Sequence, residues 1–161
     1  MNWQLLLRQA YDLAFRSPDP STQNGALLIN QYGKVLVSDF NRLPPNIKSI
    51  YERWQKPLKY KMCEHAERNV IYSAACLGIK TFNKIMVCPW MPCCDCARAI
   101  IVSGINKLVT HKQAYDRTPE RWKEDQALAL SMLQEAGVEV IMYDGRIELV
   151  TVRFDGEYWS P

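Results

Sequence analysis

Apolar positions recur with helical spacing at the start of the chain. Trp3, Leu6, Leu7, Ala10, Leu13 and Ala14 fall on one stripe of residues 2–16. The two prolines of "SPDPS" cannot continue that helix. "GALLIN" and "KVLVSDF" then read as two strands around a turn at Gln31 to Gly33. A proline-containing loop with a short "YERWQ" segment follows. Further helices are predicted from Glu64 to Gly78, from Cys93 to Ser103 and, opened by Pro119, up to Gly137. "KIMVC", "KLVTH" and "VEVIMY" read as strands between and after them. "RIELVTVRF" also alternates and is predicted as a further edge strand.

The order α-β-β-α-β-α-β-α-β predicts an α/β protein, a three-layer α/β/α fold around a mixed sheet. Short βα connections bring helix N-termini to one sheet edge, where sites form. The 161 residues suit one domain, with a core over about 3–144 and a C-terminal strand or tail at 145–161.

Composition narrows the class. No run of about 18 apolar residues is present, so no membrane span is expected. "MNWQLLLRQAYDLAFR" carries charges inside its apolar pattern and reads as an amphipathic helix, not a signal peptide; a cytoplasmic location is expected. Six cysteines raise the question of a disulfide framework. A core-rich chain of this length does not need one, so some thiols are expected to bind metal and the rest to stay reduced and buried. The net charge of +3 is too weak to imply a polynucleotide partner without a local patch. Arg42, Lys48, Arg53, Lys56, Lys59 and Lys61 do crowd one segment against Glu52 alone. That segment is either a solvated loop or a pocket lid that attracts a phosphate.

The chemistry concentrates in "CEHAERNVIYSAACLG" and "CPWMPCCDCARAIIVSG". Cys93 and Cys96 form C-x-x-C at a helix start, where the positive helix end stabilises thiolates. Alone, this pattern could be a redox pair, half of a four-cysteine zinc site, or chance. No second C-x-x-C exists, and His65 and His111 are the only histidines. His65 opens its own helix. With Cys93 and Cys96 it gives three zinc ligands and leaves the fourth position open for water. Glu67 stands two residues from His65, so the two point in different directions on a helix. The natural division makes His65 a ligand and Glu67 a proton shuttle beside the water. His65-Ala66-Glu67 followed by Pro92-Cys93-Cys94-Asp95-Cys96 matches the H-x-E and P-C-x-x-C signature of zinc deaminases.

Over about Trp3 to Asp144 the sequence resembles the deoxycytidylate (dCMP) deaminases of the cytidine deaminase superfamily. "SPDPSTQNGALLIN", "FNRLP", "HAERNVIY" and "PCCDCARAIIVSGI" carry the resemblance. It implies a five-stranded sheet between helices, one catalytic Zn2+, a homo-oligomer that is often a hexamer, and conversion of dCMP to dUMP and ammonia for dTMP supply. By motif, His65, Cys93 and Cys96 match the zinc ligands and Glu67 the shuttle. The Ala66 N–H would contact the pyrimidine carbonyl. Asn41 would bind sugar or base, Thr22 and Asn24 would line the pocket, and Tyr115 would cover the base. Read without the family, Asn41 is as readily a turn residue, Thr22 and Asn24 turn-closing residues, and Tyr115 core. Asn24 stands where the pattern has Val, and Arg42 where it has Gly; Arg42 is also a candidate for the substrate phosphate. Other members of the superfamily would take 5-substituted dCMP, a free nucleoside or adenosine in tRNA, and a non-catalytic zinc-binding interaction domain is a rival of another class. The modest charge argues against a polynucleotide substrate.

Overall fold

The computed structural model describes residues 1–161. Helix α1 (Trp3–Ala14) leads into strands β1 (Gly25–Ile29) and β2 (Val35–Phe40). A 3-10 turn at Tyr51–Trp54 and the single-turn α2 (Lys59–Met62) cross to α3 (Ala66–Cys76). Next come β3 (Ile85–Val87), α4 (Cys94–Val102), β4 (Lys107–His111), α5 (Lys112–Asp116), α6 (Glu120–Glu135) and β5 (Glu139–Tyr143). Strands β6 (Val152–Phe154) and β7 (Glu157–Trp159) end the chain.

The main sheet has five strands in the order β2-β1-β3-β4-β5. Strand β1 is antiparallel to both β2 and β3, whereas β3, β4 and β5 are parallel, so the sheet is mixed as the pattern predicts. Alternation along each strand sorts its side chains between two cores. Ala26, Leu28, Met86 and Leu108 face the helices α3, α4 and α6, which supply Val70, Ala74, Ala97, Ile100 and Leu133. Leu27, Ile29, Val87 and Val109 face α1, through Leu6, Leu7, Ala10, Tyr11 and Ala14. The sheet is therefore the middle layer of an α/β/α fold.

Tyr11 lies on the buried face although the expected apolar stripe omits it. Its hydroxyl is 2.8 Å from Nδ1 of His111, and Nε2 of His111 is 2.8 Å from the Gly145 carbonyl. A carbonyl only accepts, so Nε2–H donates to it and Nδ1 of the neutral ring accepts from Tyr11. Burial holds the His111 pKa below its ordinary value. This histidine is thereby committed to the core between α1 and β4.

The edge strand expected over "RIELVTVRF" is not part of the sheet. Ile147, Val150 and Val152 are buried while Leu149 is 83% exposed, so the apolar spacing lacks the strict period of two that a sheet edge requires. Only Val152–Phe154 is extended, and it pairs antiparallel with Glu157–Trp159 in a separate hairpin. The turn of that hairpin is Asp155-Gly156, both at positive φ, a pair suited to a two-residue turn. The hairpin lies on the α1 side, where Phe154 and Trp159 pack against the core and Phe154 stacks on Trp90 at 4.1 Å.

Gly25 permits the close approach of α1 to β1. A Cβ there would stand 2.3 Å from the Ala10 carbonyl oxygen and 2.8 Å from the Ala14 nitrogen, both backbone atoms that cannot swing aside. Gly25→Ala should therefore destabilise the fold by at least about 1–3 kcal/mol, read as a lower urea midpoint at unchanged slope.

Candidate active site

Two helix starts meet at one edge of the sheet. His65 is the N-terminal cap residue of α3, and Cys93 that of α4. The start of α3 is pinned to the end of β2. Arg42 N–H donates to the Glu64 carbonyl at 3.1 Å and Glu64 N–H to the Arg42 carbonyl at 2.9 Å, while Asn69 Nδ2 donates to the Phe40 carbonyl at 2.9 Å. The loop into α4 is held by the Pro89 carbonyl, which accepts from His111 N–H at 3.1 Å and Thr110 Oγ1 at 2.9 Å. The end of β2, the start of β1 and the ends of β3 and β4 share this edge, and so the sheet sets the distance between His65 and the cysteines.

Nδ1 of His65 lies 3.5 Å from Sγ of Cys93 and 3.5 Å from Sγ of Cys96. The three ligand atoms all fall within 4.8 Å of one another. Tetrahedral ligands about 2.0–2.3 Å from a zinc ion sit about 3.3–3.8 Å apart, so the observed spacing fits such an ion. The donor chemistry fits as well, since two soft sulfurs with one imidazole suit zinc. The hydrogen bond from Cys96, opposed by burial and aided by His65, pulls the Cys93 thiol down to about 3. Cys96 is pushed up as the proton-holding partner of that bond, and by burial. Burial works against His65 protonation, but the hydrogen bond to Cys93 together with the nearby charges of Glu67 and Cys93 outweighs it and raises the imidazole. Three groups thus share protons over one point that a divalent cation can take instead. Arg68 supports the cluster: Nη1 is 3.7 Å from the Cys96 sulfur, and the guanidinium is anchored by Glu64.

Glu67 stands in the first turn of α3 and is 2% exposed. Burial raises its carboxyl above the ordinary value. Its Oε2 is 3.4 Å from Nδ2 of Asn24, which also reaches Sγ of Cys88 at 3.2 Å. Glu67 is outside the three-atom metal cluster, and it lines one pocket together with Ala66 and with His65 and Cys93 of the cluster, while Cys96 is buried behind them.

The pocket also takes in Thr22, Asn24 and Asn41, three of the residues singled out from sequence. Asn41 has few free valences: Nδ2 donates to Asp19 at 3.0 Å and to the Thr22 carbonyl at 2.8 Å, and Oδ1 accepts from Asn24 N–H at 2.8 Å. It braces the wall as much as it faces the cavity. Asp19 is the hub of that wall, accepting from Ser21 N–H, Thr22 N–H, Asn41 and Lys59 Nζ, the last at 2.7 Å. Arg42 and Tyr115 lie elsewhere. Arg42 points back along β2 and makes two hydrogen bonds to the Asp39 carboxylate, at 3.0 and 2.9 Å. Tyr115 is half-buried on α5 against the core of the α3, α4 and α6 side. The aromatic rings that do line the pocket are Tyr60, Trp90, Trp122 and Phe154. Of the basic loop, Lys56 and Lys59 reach the pocket, joined by Arg121 from α6.

Sequence reasoning overlooked Asp19, Arg68, Arg121 and the Phe154-Asp155 wall. Asp19 had a local signal in S-P-D-P, where an Asp side chain bonds its own backbone two residues on, and Asp155 had one in Asp-Gly. The other two are ordinary surface-type residues until the fold gives them neighbours.

An H-x-E and a P-C-x-x-C brought to one point at the edge of a mixed α/β sheet define a site of the zinc-deaminase type. Residues 1–112 match the cytidine and deoxycytidylate deaminase zinc-binding region, and the chain belongs to that family. It is 33% identical over 128 residues to an uncharacterized deaminase from the luxG 3' region of Aliivibrio fischeri, across 77% of this chain and 81% of that protein. It is 25% identical over 162 residues to the deoxycytidylate deaminase of Mus musculus, across 96% of this chain and 87% of that one. A crystal structure of the cyanophage S-TIM5 dCMP deaminase in complex with dCMP and dUMP shares the fold, with a TM-score of 0.67 at 19% identity over 87% of this chain and 95% of that one. No helix of this protein is long and apolar enough to cross a membrane.

Protein purified without added metal should carry about one zinc per chain by elemental analysis. Cys93→Ser should lose the metal and melt at a lower temperature, because ligand convergence is coupled to folding. A well-folded protein with less than about half an equivalent would exclude the site as a resident zinc centre.

Proposed function

We propose that this protein hydrolyses dCMP to dUMP and ammonia, with zinc held by His65, Cys93 and Cys96, and so supplies the precursor of dTMP. The observation that carries the reading is the convergence of these three ligand atoms within 4.8 Å beside a buried carboxylate, Glu67, on the wall of one pocket. The names of the relatives supply the substrate class. Bound there, zinc supplies a water that loses its proton near neutral pH.

Glu67 accepts a proton from the attacking water and passes it to ring N3 as the oxygen bonds to C4. It then delivers the second proton to the C4 amine; the C–N bond breaks, ammonia leaves and the C4 carbonyl forms. A carboxyl raised by burial suits a group that both takes and returns a proton. Ala66 offers its backbone N–H to the base carbonyl at the start of α3, and Thr22, Asn24 and Asn41 complete the wall around base and sugar. The homo-oligomer implied by the family resemblance belongs to the same reading. Arg42 and Tyr115 have no contact in it, because their side chains are spent on Asp39 and the core.

Glu67→Gln should keep zinc and fold and lose at least about 10²- to 10⁴-fold in kcat, since Gln keeps the shape and cannot carry a proton. Ammonia release and metal content on the same sample decide it; near-normal turnover would remove Glu67 from the mechanism.

Substrate choice is tested by comparing kcat/KM for dCMP, deoxycytidine, 5-methyl-dCMP and a short C-containing oligonucleotide at one salt concentration. A charge-assisted phosphate contact of roughly 1.5–3 kcal/mol should favour dCMP over deoxycytidine by at least about tenfold. Equal efficiencies would remove the phosphate from recognition, and faster reaction of the oligonucleotide would replace the mononucleotide reading with a polynucleotide one.

A further inference from the structure

The C-terminal hairpin, which lies beyond the family-matched residues 1–112, places a carboxylate among the cations of the pocket. Asp155 sits at the hairpin tip with φ 52°. Its backbone N–H donates to Thr22 Oγ1 at 3.1 Å, and the Gly156 N–H donates to the Ser21 carbonyl at 2.8 Å. The tip is therefore fixed to the pocket wall by its backbone. Its side chain reaches across to Arg121 on α6 and forms an ion pair. The hydrogen bond from Arg121, with Lys56 and Lys59 nearby, keeps the Asp155 carboxyl below its usual range. Lys59 is already matched by the buried Asp19. Lys56 lies over the ring of Tyr60, which meets Trp122 edge-on at 6.2 Å. Arg121 and Lys56 are thus the cations of the wall that no buried carboxylate neutralises, and Asp155 is the anion that occupies Arg121.

We propose that Arg121, with Lys56, is the subsite for the terminal phosphate of the substrate, and that Asp155 is a specificity-determining residue competing for it. This rests on the nucleotide reading of the pocket. The pair is half-exposed, with side chains 48% and 38% accessible, so breaking it costs little. A terminal phosphate brings a charge near −2 and three acceptor oxygens to a guanidinium built for bidentate contact. It displaces a carboxylate of charge −1. An internal phosphodiester carries a single charge and holds no such advantage. Arg121 thereby favours a nucleoside monophosphate over a nucleoside, whereas Asp155 sets a threshold that a phosphate dianion clears and a singly charged phosphodiester does not.

The turn tolerates the decisive variant. Asn adopts positive φ at least as readily as Asp, and Asn-Gly is a favoured hairpin turn, so Asp155→Asn removes the charge and keeps the backbone. Inorganic phosphate binding is measured by calorimetry at about pH 8, where the ion is a dianion, and at low salt. Asp155→Asn should bind phosphate about fivefold tighter than wild type, the size of a half-exposed ion pair that no longer has to be broken. Arg121→Gln should weaken phosphate by at least about tenfold. The ratio of kcat/KM for dCMP over deoxycytidine should rise in Asp155→Asn, through KM for dCMP, and fall in Arg121→Gln. Unchanged phosphate affinity in a folded Asp155→Asn, or wild-type affinity in Arg121→Gln, would overturn the assignment. A wild-type protein that deaminates neither compound would sink the reaction and leave the phosphate titrations to judge the subsite.

Discussion

His65 and the two cysteines come from two helix starts and stand 28 and 31 residues apart in the chain, yet the His65 Nδ1 lies 3.5 Å from each sulfur. Nothing local can hold that arrangement; the sheet does. Strand β1 lies antiparallel between β2 and β3, so the end of β2 and the end of β3 fall on the same edge. The chain passes from β3 into the start of α4, and the start of α3 returns to the end of β2 after the 3-10 turn and α2. The reciprocal backbone bonds between Arg42 and Glu64 then set His65 one residue from a fixed point. Two thiols and an imidazole kept this close in a partly buried space compete for protons, which makes them ready ligands for a divalent cation.

Around this cluster the pocket wall is built from separated stretches of chain, tied by saturated polar contacts. Asp19 is almost fully buried and accepts from two backbone N–H groups, an amide and an ammonium. Such a carboxylate cannot lose a partner cheaply, so it ties the 17–24 segment, the end of β2 and α2 into one wall. The C-terminal hairpin joins through Gln23 and Arg153. Gln23 N–H donates to the Arg153 carbonyl at 2.9 Å, and Arg153 N–H to Gln23 Oε1 at 3.0 Å. Trp90 locks the corner by donating to the Gln23 carbonyl at 2.9 Å while stacking on Phe154. In the proposed reaction a fixed wall matters because Glu67 would have to reach both water and base.

The polar groups singled out from sequence divide by how far their neighbours lie along the chain. His65, Glu67, Cys93 and Cys96 were legible because each sits in a short motif at a helix start, where spacing alone states which side chains share a direction. Arg42 and Tyr115 were not, because their roles turn on partners, Asp39 and the α3-facing core, that compete with the pocket for the same side chain. Asn41 falls between: its place at the end of β2 was readable, and its three bracing hydrogen bonds were not.

By itself the sequence determined the alternation of helices and strands, the mixed α/β/α architecture and the two motifs that bring His65, Glu67, Cys93 and Cys96 to the start of their helices. These rest on periodicity, caps and motif spacing, all of which act within a few residues. Tertiary structure alone decided that Tyr11 and His111 lock α1 to β4, that 146–154 stays out of the sheet with only Val152–Phe154 paired in a hairpin, and that Arg121 and Asp155 face each other across the pocket. Each of these depends on which distant surface a side chain meets. Burial and charge pairing then act between residues 34 to 100 positions apart, where no local pattern carries the information.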